Sequence, residues 1–334
     1  MRPGSAGDRP APRVEELLVP GPWTHRQVHT RGQRLHVADC GDPSDPLILL
    51  LHGATGGWFD WRAQLPALGD AGHHAVAASL RGWGTSDRTP GGYRADVAAD
   101  DMAGLIRALG HDRALVIGHG LGGVLAWTMA ARHPGLLRGV GVLAAPHPLL
   151  WSGTRLLAAA PRHRHARRAL HLARILALPG PRPRGAAADP AAAALALAGP
   201  AFRSSPGFAE ALRLHRAGLA SGARRPAARH IAWLVGLRAG GRRAWAHRLQ
   251  EAAHVARSIG GVPPIRILGG AVDPVAPPAL LRAAARLAVS ADDGGAVRDP
   301  VILAGVGHFP QLEAPAEVTA ELAAFAADCG RRPR

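Results

Sequence analysis

The segment Leu115-Val116-Ile117-Gly118-His119-Gly120-Leu121-Gly122-Gly123-Val124-Leu125 decides how this chain is read. It opens as a short apolar strand, passes through a glycine turn and continues as an apolar helix over residues 124–131. A strand that turns this sharply into a helix pushes one side chain out over the sheet edge, in the frame small-x-nucleophile-x-small. Small residues flank the centre because strand and helix pass close together there. The frame here is Gly118, His119, Gly120, Leu121, Gly122. Its centre, where Ser, Cys or Asp would carry chemistry, is Gly120, which has no side chain.

Outward from this segment, strands and helices alternate. Residues 24–29 and 33–39 read as a hairpin around Arg31-Gly32. Residues 47–51 are a continuous apolar run, as a strand buried on both faces requires, and the run ends in His52-Gly53-Ala54-Thr55-Gly56-Gly57. A helix over 61–68, a strand over 74–79 and the loop Arg81-Gly82-Trp83-Gly84-Thr85-Ser86-Asp87 follow. A helix over 96–109, closed by Gly110, leads into the central segment. A strand over 139–143 comes after it. From 149 to 258 the texture changes to Ala- and Arg-rich helical stretches broken by Pro and Gly. Alternation then resumes, with strands over 264–269 and 301–304 and helices over 278–287 and 315–327. The pattern predicts an α/β fold, a mostly parallel eight-stranded sheet flanked by helices and interrupted by an inserted helical cap. Residues 1–22 read as a flexible tail, 23–148 and 259–329 as the core, and 149–258 as the cap.

Composition narrows the setting. The chain has 334 residues and a formal charge of +16, carried wholly by Arg because it has no Lys. Asn is also absent, which points to a GC-rich codon bias and not to selection for basic surfaces. Cys40 and Cys329 lie far apart and have no metal-ligand spacing. No disulfide framework, metal or cofactor is expected, and the compartment reads as reducing and cytoplasmic. The first twenty residues lack the apolar stretch of a signal peptide. No apolar run reaches the ~18 residues of a membrane span. Arg162, Arg164, Arg167, Arg168 and Arg174 cluster in the cap, but without interleaved aromatics or a docking motif, which argues against a nucleic-acid partner.

The order of these motifs resembles the α/β-hydrolase superfamily, over residues 23–325. The residues that carry the resemblance are His52-Gly53, Arg81 to Asp87, Gly118 to Gly123, Asp273 and Gly307-His308. Within the superfamily, the Arg81 loop and Ala145-Pro146-His147-Pro148 look most like epoxide hydrolases. The resemblance implies that His308 is a general base, a role that suits imidazole because its pKa lies near neutrality. It implies that Asp273 accepts the second ring N–H and orients the base. It also implies an oxyanion hole from the backbone amides of Ala54 and Leu121. His52 reads as a loop-packing residue. Trp151 and Trp233 are candidates for the substrate-binding wall of the cap.

The chain departs from that family at several points. Gly120 stands at the nucleophile position, and neither His119 nor Leu121 can replace it, because both point elsewhere in the motif. Ser79 stands where the family has Asp ahead of Arg-Gly. The single tyrosine, Tyr93, lies outside the cap, so the lid tyrosines that protonate an opening epoxide are missing. Gly120-Leu121 excludes haloalkane dehalogenase chemistry. Two readings stay open at this level. One is slow hydrolysis of a small apolar ester or epoxide by water that His308–Asp273 activates. The other is a catalytically inactive fold that binds a small apolar ligand.

Overall fold

A computed structural model describes residues 14–150, 189–234, 251, 263–288 and 299–330. The described strands form one eight-stranded sheet in the order β1-β2-β4-β3-β5-β6-β7-β8. They are β1 (Thr24–Thr30), β2 (Gln33–Cys40), β3 (Leu47–Leu51), β4 (His74–Ala78), β5 (Ala114–His119), β6 (Leu137–Leu143), β7 (Ile265–Gly270) and β8 (Val301–Leu303). β1 and β2 pair antiparallel, β2 joins β4 antiparallel, and all other pairs are parallel. The helices of the core are α1 (Gln64–Asp70), α2 (Ala95–Ala108), α3 (Leu121–Arg132), α8 (Pro278–Ala288), α9 (Pro310–Glu313) and α10 (Pro315–Gly330). Between β6 and β7 the described chain is helical, as α4 (Pro190–Leu195), α5 (Pro200–Arg203), α6 (Pro206–Gly218) and α7 (Arg224–Leu234).

The apolar run of β3 is explained by its two faces. Leu47, Leu49 and Leu51 pack with Met102 and Leu105 of α2 and Val124 and Leu125 of α3. Ile48 and Leu50 pack on the opposite side with Leu65 and Leu68 of α1 and Val318 and Leu322 of α10. Each side chain is withdrawn from water whichever way the pleat points, so alternation disappears. At roughly 25 cal/mol per Å² of apolar surface, these central strands supply much of the driving force of folding. A third cluster unites Leu195, Leu197 and Ala211 of the insertion with Phe309 of the core.

Packed structure begins earlier than the sequence indicates. Residues Val14–Leu17 form one 3-10 turn within the stretch read as a flexible tail. Leu17 is only 2% exposed, and its carbonyl accepts the indole N–H of Trp58 at 2.8 Å. Its burial depends on a tertiary partner, so local composition gave no sign of it. Helix boundaries also move. The helix read over 61–68 is α1, Gln64–Asp70, preceded by a 3-10 turn, Trp58–Trp61, while α3 starts at Leu121, directly after the glycine turn.

Candidate active site

The site is built where β3, β5, β7 and β8 end, at the carboxyl edge of the parallel sheet, the usual ligand side of such sheets. Gly120 forms the corner between β5 and α3 with φ 53° and ψ −110°, a backbone that side chains resist and glycine adopts freely. Its amide donates to the carbonyl of Leu143 at 3.0 Å, and the amide of Gly122 donates to the carbonyl of His52 at 3.1 Å. The small residues around it answer to close approach. A Cβ on Gly118 would overlap the backbone of Gly122, and one on Gly122 would overlap the carbonyl of Leu51. A Cβ on Gly120, by contrast, would meet only His308 Nε2 at 3.7 Å and Gly53 Cα at 3.8 Å.

His308 follows β8. Its Nδ1–H donates to Asp273 Oδ2 at 3.0 Å, which leaves Nε2 as the lone-pair nitrogen on the Gly120 side. Asp273 is buried, and its other oxygen accepts the amide of Val275 at 2.7 Å. The loops after β7 and β8 are zipped together, because Ala271 N–H donates to Leu303 and Val272 N–H to Val306. Burial disfavours a charged His308 ring. The charge and hydrogen bond of Asp273 and the charge of Glu313 outweigh it and raise the histidine above its ordinary pKa.

Three further groups hold this loop. Glu313 accepts the amides of Gly307 and Gly199 on Oε2, both at 2.7 Å, and that of Phe309 on Oε1 at 2.8 Å. The amide of His308 donates to the carbonyl of Leu197, so the helical insertion also grips the loop. His119, directly before Gly120, donates Nε2–H to the carbonyl of His308 at 2.7 Å. Burial, with the nearby charge of His308, pushes His119 down to about 3, so it stays neutral. The grip of His119 on the His308 loop spans 189 residues, and Glu313 ties that loop to Gly199 across 114, so neither link shows in a local motif.

The loop after β3 closes the site on its remaining side. His52 donates Nδ1–H to the carbonyl of Gly53 at 2.7 Å and accepts the amide of Leu80 on Nε2 at 3.1 Å. Both ring nitrogens are thereby used for packing the loop. The indole of Trp83 donates to the carbonyl of Ala54 at 3.2 Å. Among the described residues, no backbone acceptor takes the amides of Ala54 and Leu121. Ser79 is drawn into a different network: its Oγ lies 3.1 Å from Nδ1 of His36, and its carbonyl accepts the hydroxyl of Ser86. Trp151 and the arginines at 162, 164, 167, 168 and 174 lie outside the described residues. Trp233 falls in α7, but its side chain too lies outside them.

Comparison with known proteins agrees with this architecture. Residues 46–167 match the family model of the alpha/beta hydrolase fold. Over 123 residues the chain is 42% identical to AB hydrolase superfamily protein YfhM of Bacillus subtilis, covering 36% of this chain and 43% of that protein. Over 140 residues it is 42% identical to epoxide hydrolase 3 of Xenopus tropicalis, covering 41% of this chain and 38% of that protein. The chain thus matches about two fifths of the length of these relatives. The crystal structure of epoxide hydrolase A from Mycobacterium thermoresistibile superposes on 91% of this chain and 98% of its own, with a TM-score of 0.58 and 24% identity, a likeness of fold. The chain has the α/β-hydrolase fold and has epoxide hydrolases among its homologues.

Proposed function

We propose that this α/β-hydrolase-fold protein is a slow hydrolase of small apolar esters or epoxides that works without a covalent enzyme intermediate. Gly120 stands at the nucleophile position. In place of a side chain, a water held between Gly120 and His308 attacks the substrate, and His308 Nε2 takes its proton. Asp273 fixes the tautomer and stabilises the imidazolium. The amides of Ala54 and Leu121 hold the developing negative charge. The observation that carries this reading is the space over Gly120, which His308 Nε2 borders at 3.7 Å while its Nδ1 is held by Asp273. A triad that lacks a member still retains about 10³–10⁴-fold catalysis over water in the serine-protease template, so slow turnover is physically allowed. The cap, with Trp151 and Trp233, selects the apolar substrate. Cys40 and Cys329 are not joined in a disulfide, which suits a cytoplasmic setting, and among the described residues no helix is long and apolar enough to cross a membrane.

The test is turnover of an ester and epoxide panel by the wild type beside His308→Ala. The wild type is expected to exceed the variant by about 100-fold or more, the range of general-base catalysis. Equal rates would leave the other reading, a pocket that binds a small apolar ligand without turnover. The missing side chain at Gly120 favours that reading in such a case.

A further inference from the structure

The loop that carries His308 has little local support. β8 ends at Leu303, α9 starts at Pro310, and glycines stand at 305 and 307 between them. Gly305 lies at φ 71°, where only glycine rests without strain. Hydrogen bonds to distant groups fix the loop instead. The carbonyl of Val306 accepts the amide of Val272 at 3.0 Å, and the amide of His308 donates to the carbonyl of Leu197 at 3.1 Å. The amides on either side of His308, those of Gly307 and Phe309, both end on one carboxylate, that of Glu313 in α9.

The same carboxylate reaches the insertion. Its Oε2 accepts the amide of Gly199, at the start of α5, at 2.7 Å, beside that of Gly307. Hydrogen bonds from N–H groups to a carboxylate are roughly twice as strong as neutral ones, so these ties exceed the backbone pairs around them. The junction leaves no room for side chains. A Cβ on Gly199 would overlap the carbonyl of Gly305, and one on Gly307 would overlap the carbonyl of Leu197. Insertion and loop therefore meet backbone to backbone, with Glu313 between them. The charge of Glu313 reaches His308 as well. The titratable groups that act on this ring are Asp273 after β7, Glu313 in α9 and His119 at the end of β5. His119 stays neutral, so the two carboxylates supply the negative charge, Asp273 through its hydrogen bond and Glu313 through charge alone.

We infer that Glu313 is a positioning residue for His308, fastening the loop on both sides of the imidazole to the helical insertion and so making the insertion part of the mount of the base. The work of His308 as a base rests on the hydrolysis proposed above, whereas its placement by Glu313 does not. Two substitutions take the mount apart differently. Glu313→Gln replaces one oxygen by an NH₂ group, a donor that faces amide donors, and removes the charge. Gly199→Ala leaves the carboxylate in place but sets a methyl group against the carbonyl of Gly305, which pushes the insertion off the loop.

The experiment follows His308 in the full chain by proton NMR, with its ring signals identified by their loss in His308→Ala. In Glu313→Gln the titration midpoint of His308 is expected to move to lower pH, because a negative charge is gone, while the other titrating histidines keep theirs. The downfield signal of the ring N–H that His308 gives to Asp273 is expected in the wild type, and is expected to fade by exchange with water in both variants. Turnover of 4-nitrophenyl acetate is expected to lose about 100-fold in kcat in both, the effect of a displacement of about 1 Å, with KM little changed. An unmoved His308 midpoint in Glu313→Gln, or a shift shared by all histidines, would overturn the inference. A folded Gly199→Ala that keeps the downfield signal would overturn the share given to the insertion, a result that stands even if Glu313→Gln does not fold. Wild-type turnover no higher than that of His308→Ala would remove the hydrolase reading, and the NMR titration would still decide the role of Glu313.

Discussion

In the proposed hydrolysis Gly120 is the residue on which the chemistry turns, and a serine there tests whether the surroundings are assembled. With φ at 53° and ψ at −110°, any Cβ adds strain of about 1–3 kcal/mol. Yet the space is open, with His308 Nε2 at 3.7 Å as its nearest neighbour. Gly120→Ser is therefore expected to lower the urea midpoint while raising nitrophenyl ester turnover by about 100-fold or more, with a pre-steady-state burst of nitrophenol. A stable variant with no burst would show that His308 does not reach a side chain at this corner. The pH dependence of the wild type belongs to the same scale. A base acts in its neutral form, and Asp273 and Glu313 hold His308 above its ordinary value against burial. Ester turnover is expected to rise with pH through a midpoint above 6.5. Asp273→Asn is expected to move that midpoint down and to cut kcat by about 10²–10⁴-fold. A pH–rate profile unmoved by the substitution would separate Asp273 from the base.

At the scale of elements, the corner depends on how closely α3 crosses the sheet. The first turn of α3 lies against the end of β3, where a Cβ on Gly122 would enter the carbonyl of Leu51. That neighbour is backbone in the central strand and cannot swing aside. Gly122→Ala is expected to destabilise the fold by about 1–3 kcal/mol, as overpacking does, read as a lower urea midpoint with an unchanged m-value. An unchanged midpoint would mean that helix and strand are not held in this crossing. The loops after β7 and β8 show the complementary device. They are joined by backbone bonds and clamped by Glu313, which accepts three amides, one of them from Gly199 of the insertion. Placement of His308 is therefore shared between core and insertion.

At the scale of the whole molecule, several imidazoles among the described residues are buried and held neutral, and this sets its response to acid. Burial pushes His36, His52 and His147 down to about 4 and His119 and His230 to about 3. Unfolding returns them to about 6.5, so between these values the unfolded chain binds more protons than the folded one and stability falls as pH falls. His308 has the opposite sign: its raised value favours the folded state below 6.5, and that contribution is lost as pH rises through the folded value. Five rings outweigh one, at about 1.4 kcal/mol per ring and pH unit. Cooperative unfolding is expected on acidification between about pH 6.5 and 4, followed by circular dichroism. A flat signal to pH 4 would show that these rings are solvated. The sequence by itself determined the sheet, because apolar runs such as Leu47–Leu51, glycine turns and the order of motifs are local signals whose physics acts within a few residues. It also brought forward Gly120, Asp273 and His308, because each stands in a short pattern at a strand end. It could not disclose the docking of Leu17 or the grip of His119 and Glu313 on the His308 loop. Those contacts join residues as far as 189 positions apart. Only the tertiary structure decided them, because burial and hydrogen-bond partners exist once the chain has closed on itself, and no periodicity encodes them.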